Sequence, residues 1–121
     1  MAKSFTTLDE ARYLANGGYT SGVANRLYYA CFYAVSALLL SEGESSSKHS
    51  GIMSMFDRLW VKPHRIPAEK GAFYHLMFQQ RQKGDYEDMF SFDNTELAIW
   101  VMEAQDFVQY IQTFLQNSIG L

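Results

Sequence analysis

Cysteine occurs once and proline twice in this chain of 121 residues. Cys31, alone among apolar neighbours, has no partner for an intrachain disulfide, and a thiolate metal site would lack its second ligand. A secreted domain of this size more often carries paired cysteines, so a reducing cytoplasm is the expected compartment. With only Pro63 and Pro67 as breakers and few clusters of β-branched residues, helix is the default reading. The N-terminal MAKSFTTLDE has no apolar core of signal-peptide type. The apolar run YYACFYAVSALLL (28–40) is too short to span a bilayer, so no membrane contact is expected. A net charge of −3 speaks against a general nucleic-acid coat, because phosphate binding needs a basic surface. Any nucleotide or nucleic-acid site is therefore local, built from a few of the ten Lys and Arg residues. A glycine-rich phosphate loop is missing, no nucleophile elbow marks a Ser-His-Asp arrangement, and His49, His64 and His75 lack metal-ligand spacing. Neither a metal nor a cofactor is expected.

What is present is apolar surface: 48% of residues, a third of them aromatic, enough to build one core without staples. The chain reads as a single domain, 1–121, with no repeat and no long linker. A short first helix is predicted over 7–16, ending at Gly17-Gly18. The second runs from Thr20 or Ser21 to about Glu42 and is apolar nearly all round, which makes it the central one. The third starts near Ser47 and stops before Pro63. Pro67 opens the fourth, which frays at Gly84. Asp93-Asn94-Thr95-Glu96 is a capping box for the fifth, with a three-four apolar spacing from Leu97 through Leu115 to residue 117. Short connections imply antiparallel neighbours. The predicted fold is all-α, an up-and-down antiparallel four-helix bundle with a short additional N-terminal helix.

Two polar clusters interrupt this plan. Ser47-Lys48-His49-Ser50-Gly51 opens the third helix with a cation against the positive end of the dipole, where free N–H groups, Lys48, His49 and Ser50 suit an anion such as phosphate. The alternative is plain solvation with Ser47 as cap. Arg81-x-x-x-Asp85-Tyr86 closes the fourth helix; taken alone, Arg81 and Asp85 are an i, i+4 pair of little energy. Alternating helix directions bring both clusters to one end of the bundle, which makes a candidate site. Arg26, with Tyr29 and Tyr33 on its face, is a secondary candidate about 20–25 Å away at 1.5 Å per residue, read as a structural or dimer-contact arginine stacked on tyrosine.

The segments ANRLYYACFYA (24–34), KHSG (48–51) and R-x-x-x-D-Y (81–86), in this order and spacing, resemble the HEPN domain family, and within it the small stand-alone prokaryotic branch. The likeness covers about residues 8–116. It implies a small helical bundle, usually a homodimer, often encoded beside a minimal nucleotidyltransferase as a toxin–antitoxin pair. Many members are metal-independent RNases that use an arginine followed, after four to six residues, by a histidine, with both protomers lining one cleft. Here the arginine is Arg81, and Tyr86 stands where a histidine is expected. A phenol with pKa near 10 is a poor general base at neutral pH. In a related branch a tyrosine beyond the arginine–histidine motif accepts AMP from the nucleotidyltransferase; Tyr86 is of that type, two residues nearer its arginine. Arg58 and His64 have the family gap but straddle Pro63, outside the motif position.

The resemblance implies two readings. One is a binding module for nucleotide or RNA and for a nucleotidyltransferase, with Lys48, His49 and Ser50 on phosphate. The other is an endoribonuclease toxin in which Arg81 works with Asp85 and Tyr86 in place of the usual histidine.

Overall fold

The computed structural model describes residues 1–86 and 92–119, apart from the side chains of residues 86 and 119. The described residues form an all-α bundle: α1 (Ala2–Asn16), α2 (Thr20–Ser41), α3 (His49–Phe56, continued by a π-helical turn Asp57–Val61), α4 (Ala68–Tyr86) and α5 (Asn94–Ile119). The first helix, at 15 residues, is longer than the 7–16 expected, because Ser4 and Thr7 carry the buried stripe of Leu8 and Ala11 back toward its start.

Glycines end α1 and α2 in the same way. Gly18 and Gly43 adopt φ of 79° and 77°, a left-handed conformation that a Cβ would strain. At each end the next two amides turn back onto the helix: Gly18 to Ala15 and Tyr19 to Leu14, then Gly43 to Leu40 and Glu44 to Leu39. This is the Schellman pattern, and it satisfies carbonyls that would otherwise be orphaned.

The second helix is the axis of the molecule. Ten of its residues are buried, from Val23 to Leu39, and its 22 residues are by length and composition apolar enough to cross a bilayer. The apolar stretch is thus longer than run 28–40 suggested, but 56% of the spanning window is buried inside the protein, which is how a core helix reads. Helices α1 and α2 are antiparallel: Leu14 lies against Gly22, and the Lys3 ammonium lies 4.3 Å from the Tyr33 ring centre. Helices α2 and α4 are antiparallel too, with Tyr74 stacked on Tyr28 and Gly84 facing the Ser21 carbonyl. Phe56, Tyr74 and Phe107 meet in the core and join α3, α4 and α5. Asp93 starts α5 by accepting hydrogen bonds from the amides of Thr95 (2.7 Å) and Glu96 (3.4 Å).

Two local departures position the site. Residues 42–48 double back along α2, so α3 begins beside Phe32, in the middle of α2, and not at its C-terminal tip. Arg65, just beyond α3, then pairs with Glu42 at that tip. Helix α4 does not fray at Gly84 but continues to Tyr86. A Cβ on Gly84 would stand 3.0 Å from the Phe92 ring and 3.4 Å from the Ser21 carbonyl, so the bare glycine lets the end of α4 close onto α2.

Candidate functional site

Tyr28 and Tyr29 form the floor onto which Arg81 and His49 converge. Tyr28 is buried, whereas Tyr29 and Phe32 lie on the partly exposed stripe of α2 with Asn25, Arg26 and Tyr33. The Arg81 guanidinium carbon lies 5.3 Å from the ring centres of both Tyr28 and Tyr29. Its Nη2 donates to the Tyr29 hydroxyl (3.4 Å) and its Nε to Asp85 Oδ2 (3.1 Å). The Arg81 side chain is only 15% exposed. Held on two π faces by a carboxylate, the guanidinium is fixed in direction before any ligand arrives.

His49 reaches the same rings from α3. Its imidazole is 4.3 Å from Phe32, 5.7 Å from Tyr29 and 5.8 Å from Tyr28, centre to centre. Burial, and then the neighbouring Arg81 charge, hold its pKa below the ordinary 6.5, which favours the neutral ring. A neutral imidazole beside a fixed guanidinium can accept or shuttle a proton. Tyr28 cannot: burial pushes its phenol up to about 12, against a smaller lowering by Arg81.

Arg26 is the larger surprise. It was expected far from the cluster because the cluster was placed beyond the C-terminal end of α2. With α3 folded back and α4 antiparallel, the site lies beside the N-terminal half of α2. The Arg26 guanidinium carbon sits 5.2 Å from the centre of the Tyr29 ring that also carries Arg81. It donates to Asn25 Oδ1 through Nε (3.0 Å) and Nη2 (2.7 Å), and to Glu10 Oε1 through Nη1 (3.3 Å). Asn25 in turn donates from Nδ2 to Asp85 Oδ2 (3.0 Å). One hydrogen-bonded chain therefore runs Glu10, Arg26, Asn25, Asp85, Arg81, Tyr29 across three helices. Asn25 was missed from sequence, although it directly precedes Arg26 within the ANRLYY segment; only the fold shows that an amide, a donor and acceptor at once, is needed between a guanidinium and a carboxylate.

The remaining candidates divide. Lys48 is the exposed N-cap residue of α3, its amide donating to Ser46 Oγ (3.2 Å), and Ser50 is exposed beside it. Their neighbour His49 alone makes ring contacts with the floor. Tyr86 is the last residue of α4, and its side chain lies outside the described residues, as does the whole of 87–91. Arg58 and His64 sit at the far end of α3 from His49. Among the described residues no group of three or more His, Cys, Asp or Glu is placed to hold a metal ion.

Residues 1–116 match the HEPN domain. A UPF0332 protein of Thermotoga maritima is 39% identical over 110 residues, spanning 91% of this chain and 83% of its own. Two proteins of Methanocaldococcus jannaschii, each named "Putative toxin", are 26% identical over 113 residues (93% and 77%) and 33% identical over 100 residues (82% and 72%). A family match over nearly the whole chain, on a helical bundle whose His49 and Arg81 meet over the same tyrosine rings, leads to a single statement: this protein belongs to the HEPN domain family.

Proposed function

We propose that this chain is the HEPN component of a toxin–antitoxin-type pair and that its Arg81 cleft binds a phosphate of RNA or a nucleotide, chiefly as a binding module. The observation that carries the reading is the pair of guanidinium groups, Arg26 and Arg81, on one Tyr29 ring, tied together through Asn25 and Asp85. Two fixed guanidinium groups sharing one aromatic ring suit the oxygens of a phosphodiester. Lys48 and Ser50, exposed one residue either side of His49, add charge and a hydroxyl at the rim. Asp85 and Glu10 offset part of that charge, which fits modest binding helped by a second protomer or a nucleotidyltransferase partner. Tyr86, the last residue of α4, is then the contact or modification point for that partner, in a cytoplasmic setting.

An endoribonuclease is the second reading, favoured by the neutral imidazole of His49 beside Arg81. In it Arg81 holds the phosphate and His49, Asp85 or Tyr86 moves the proton. Asp85 is a weak candidate for that work, since Oδ2 already accepts from both Arg81 and Asn25.

Titration of the purified protein with a labelled single-stranded RNA, scored for binding and for cleavage, tests the proposal. Arg81→Ala is expected to lower affinity at least tenfold, a loss on the scale of a charge-assisted phosphate contact. Arg81→Lys keeps the charge, guards against a folding defect and recovers part of the binding. Unchanged affinity in both variants would remove the proposal. Cleavage by the wild type and not by Arg81→Ala would favour the nuclease.

A further inference from the structure

Helix α5 presents to solvent an outer face charged with one sign only. From Asn94 to Ile119 it holds no lysine or arginine, while Glu96, Glu103 and Asp106 are all exposed. Ile99, Met102, Glu103 and Asp106 stand at i, i+3, i+4 and i+7, so they share one face, away from the buried Leu97, Ala104 and Val108. Ile99 is 50% exposed and Met102 70%. A lone exposed methionine is ordinary, but this stripe runs from one depression to another. The first, about 310 Å³, is lined by Ala15, Gly18, Asn94 and Ala98 at the start of α5. The second, about 230 Å³, lies between α4 and α5, with the buried Phe73 and Phe107 as its floor and the exposed Glu69, Glu103 and Asp106 around it. Lys70 lines it too, but its ammonium lies 5.4 Å from the Tyr110 ring centre. Among the described residues none of the three carboxylates forms an ion pair.

We propose that this face docks a basic amphipathic segment of a partner protein. Its apolar side chains would cover Ile99 and Met102, and an arginine or lysine would enter the cavity between α4 and α5. Charge complementarity selects the occupant. Unpaired carboxylates around an apolar floor suit a side chain with an aliphatic stem and a cationic head, and they repel nucleic acid and acidic surfaces alike. Ala98 to Asp106 covers about 12 Å of α5, room for two turns of a partner helix laid along it. The basic stretch of this chain itself, with Arg58, Lys62 and Arg65, is a poorer occupant. Arg65 is already paired with Glu42. A contact between that stretch and α5 also joins unlike surfaces, which builds rings or open chains of copies and not a closed pair. None of the residues on this face belongs to the Arg81 cleft, so the two surfaces can be tested separately.

The probe is a labelled helical peptide with leucines on one face and arginines flanking them, beside a copy with glutamate for each arginine. Anisotropy titrations are run at about 0.15 M salt, where attraction between exposed charges is screened beyond about 8 Å. Wild type is expected to bind the arginine peptide and not the glutamate copy. Met102→Ser, at an exposed position, weakens the arginine peptide about fivefold or more through the lost apolar anchor and leaves the RNA titration unchanged. Glu103→Lys combined with Asp106→Lys reverses the preference between the two peptides, a gain of binding that misfolding cannot produce. Equal binding of both peptides by wild type would overturn the proposal, as would unchanged affinity for the arginine peptide in both variants. Loss in the charge-reversed variant with no effect of Met102→Ser would reduce the contact to diffuse attraction and overturn the docking face. A larger species on sedimentation of wild type that both variants dissolve would give this face to a second copy of the chain and overturn the partner.

Discussion

At the scale of single residues, His49 makes the clearest thermodynamic prediction. Its folded pKa lies below the ordinary value, so acid favours the unfolded chain, which binds the proton more readily. Stability is therefore lost as pH falls from about 6.5 through the folded value. His49→Gln has no such proton to take up. It is expected to melt lower than wild type at pH 7.5, having lost the ring contact with Phe32, and the gap should narrow as pH is lowered to 5; thermal melts across that range check it. A gap that widens on acidification would mean that protonated His49 is stabilised in the fold. The sequence marked His49 through the odd placement of a Lys-His pair at a helix start. It did not show that only the histidine turns inward, because a helix start has several faces and the return of 42–48 selects one.

At the scale of elements, helix content was legible and helix placement was not. Apolar spacing located all five helices to within a few residues, apart from the first turns of α1. The start of α5 at Asp93 followed from one capping residue with a local hydrogen bond. Local signals cannot show where a loop sends the chain, so the position of α3 along α2, and with it the proximity of Arg26, was missed. Gly84 shows the same limit. Read locally it ends a helix; in the fold it lets α4 approach Ser21 and Phe92 and holds Asp85 against Asn25. Gly84→Val is expected to cost about 1–3 kcal/mol through overpacking, despite the gain in helix propensity over glycine. It should also weaken RNA binding by pulling Asp85 off Asn25 and loosening Arg81. Denaturant unfolding and the RNA titration, done together, test both effects; wild-type stability with wild-type binding would show that the α2–α4 contact has slack.

At the scale of the whole molecule, the site depends on three separated segments meeting at one place: the end of α4, the start of α3 and the N-terminal half of α2. Family membership makes a shared polar site reasonable, and the aromatic floor supplies the means of building it, since Tyr28 and Tyr29 carry the Arg81 guanidinium and Phe32 packs against the His49 imidazole. The most direct test is an NMR titration of the His49 imidazole in wild type and in Arg81→Ala. With the cation removed from the shared rings, the His49 pKa should rise toward its ordinary value. An identical titration curve in the two proteins would contradict the electrostatic coupling of Arg81 and His49 across the shared rings, on which the reading of one site rests.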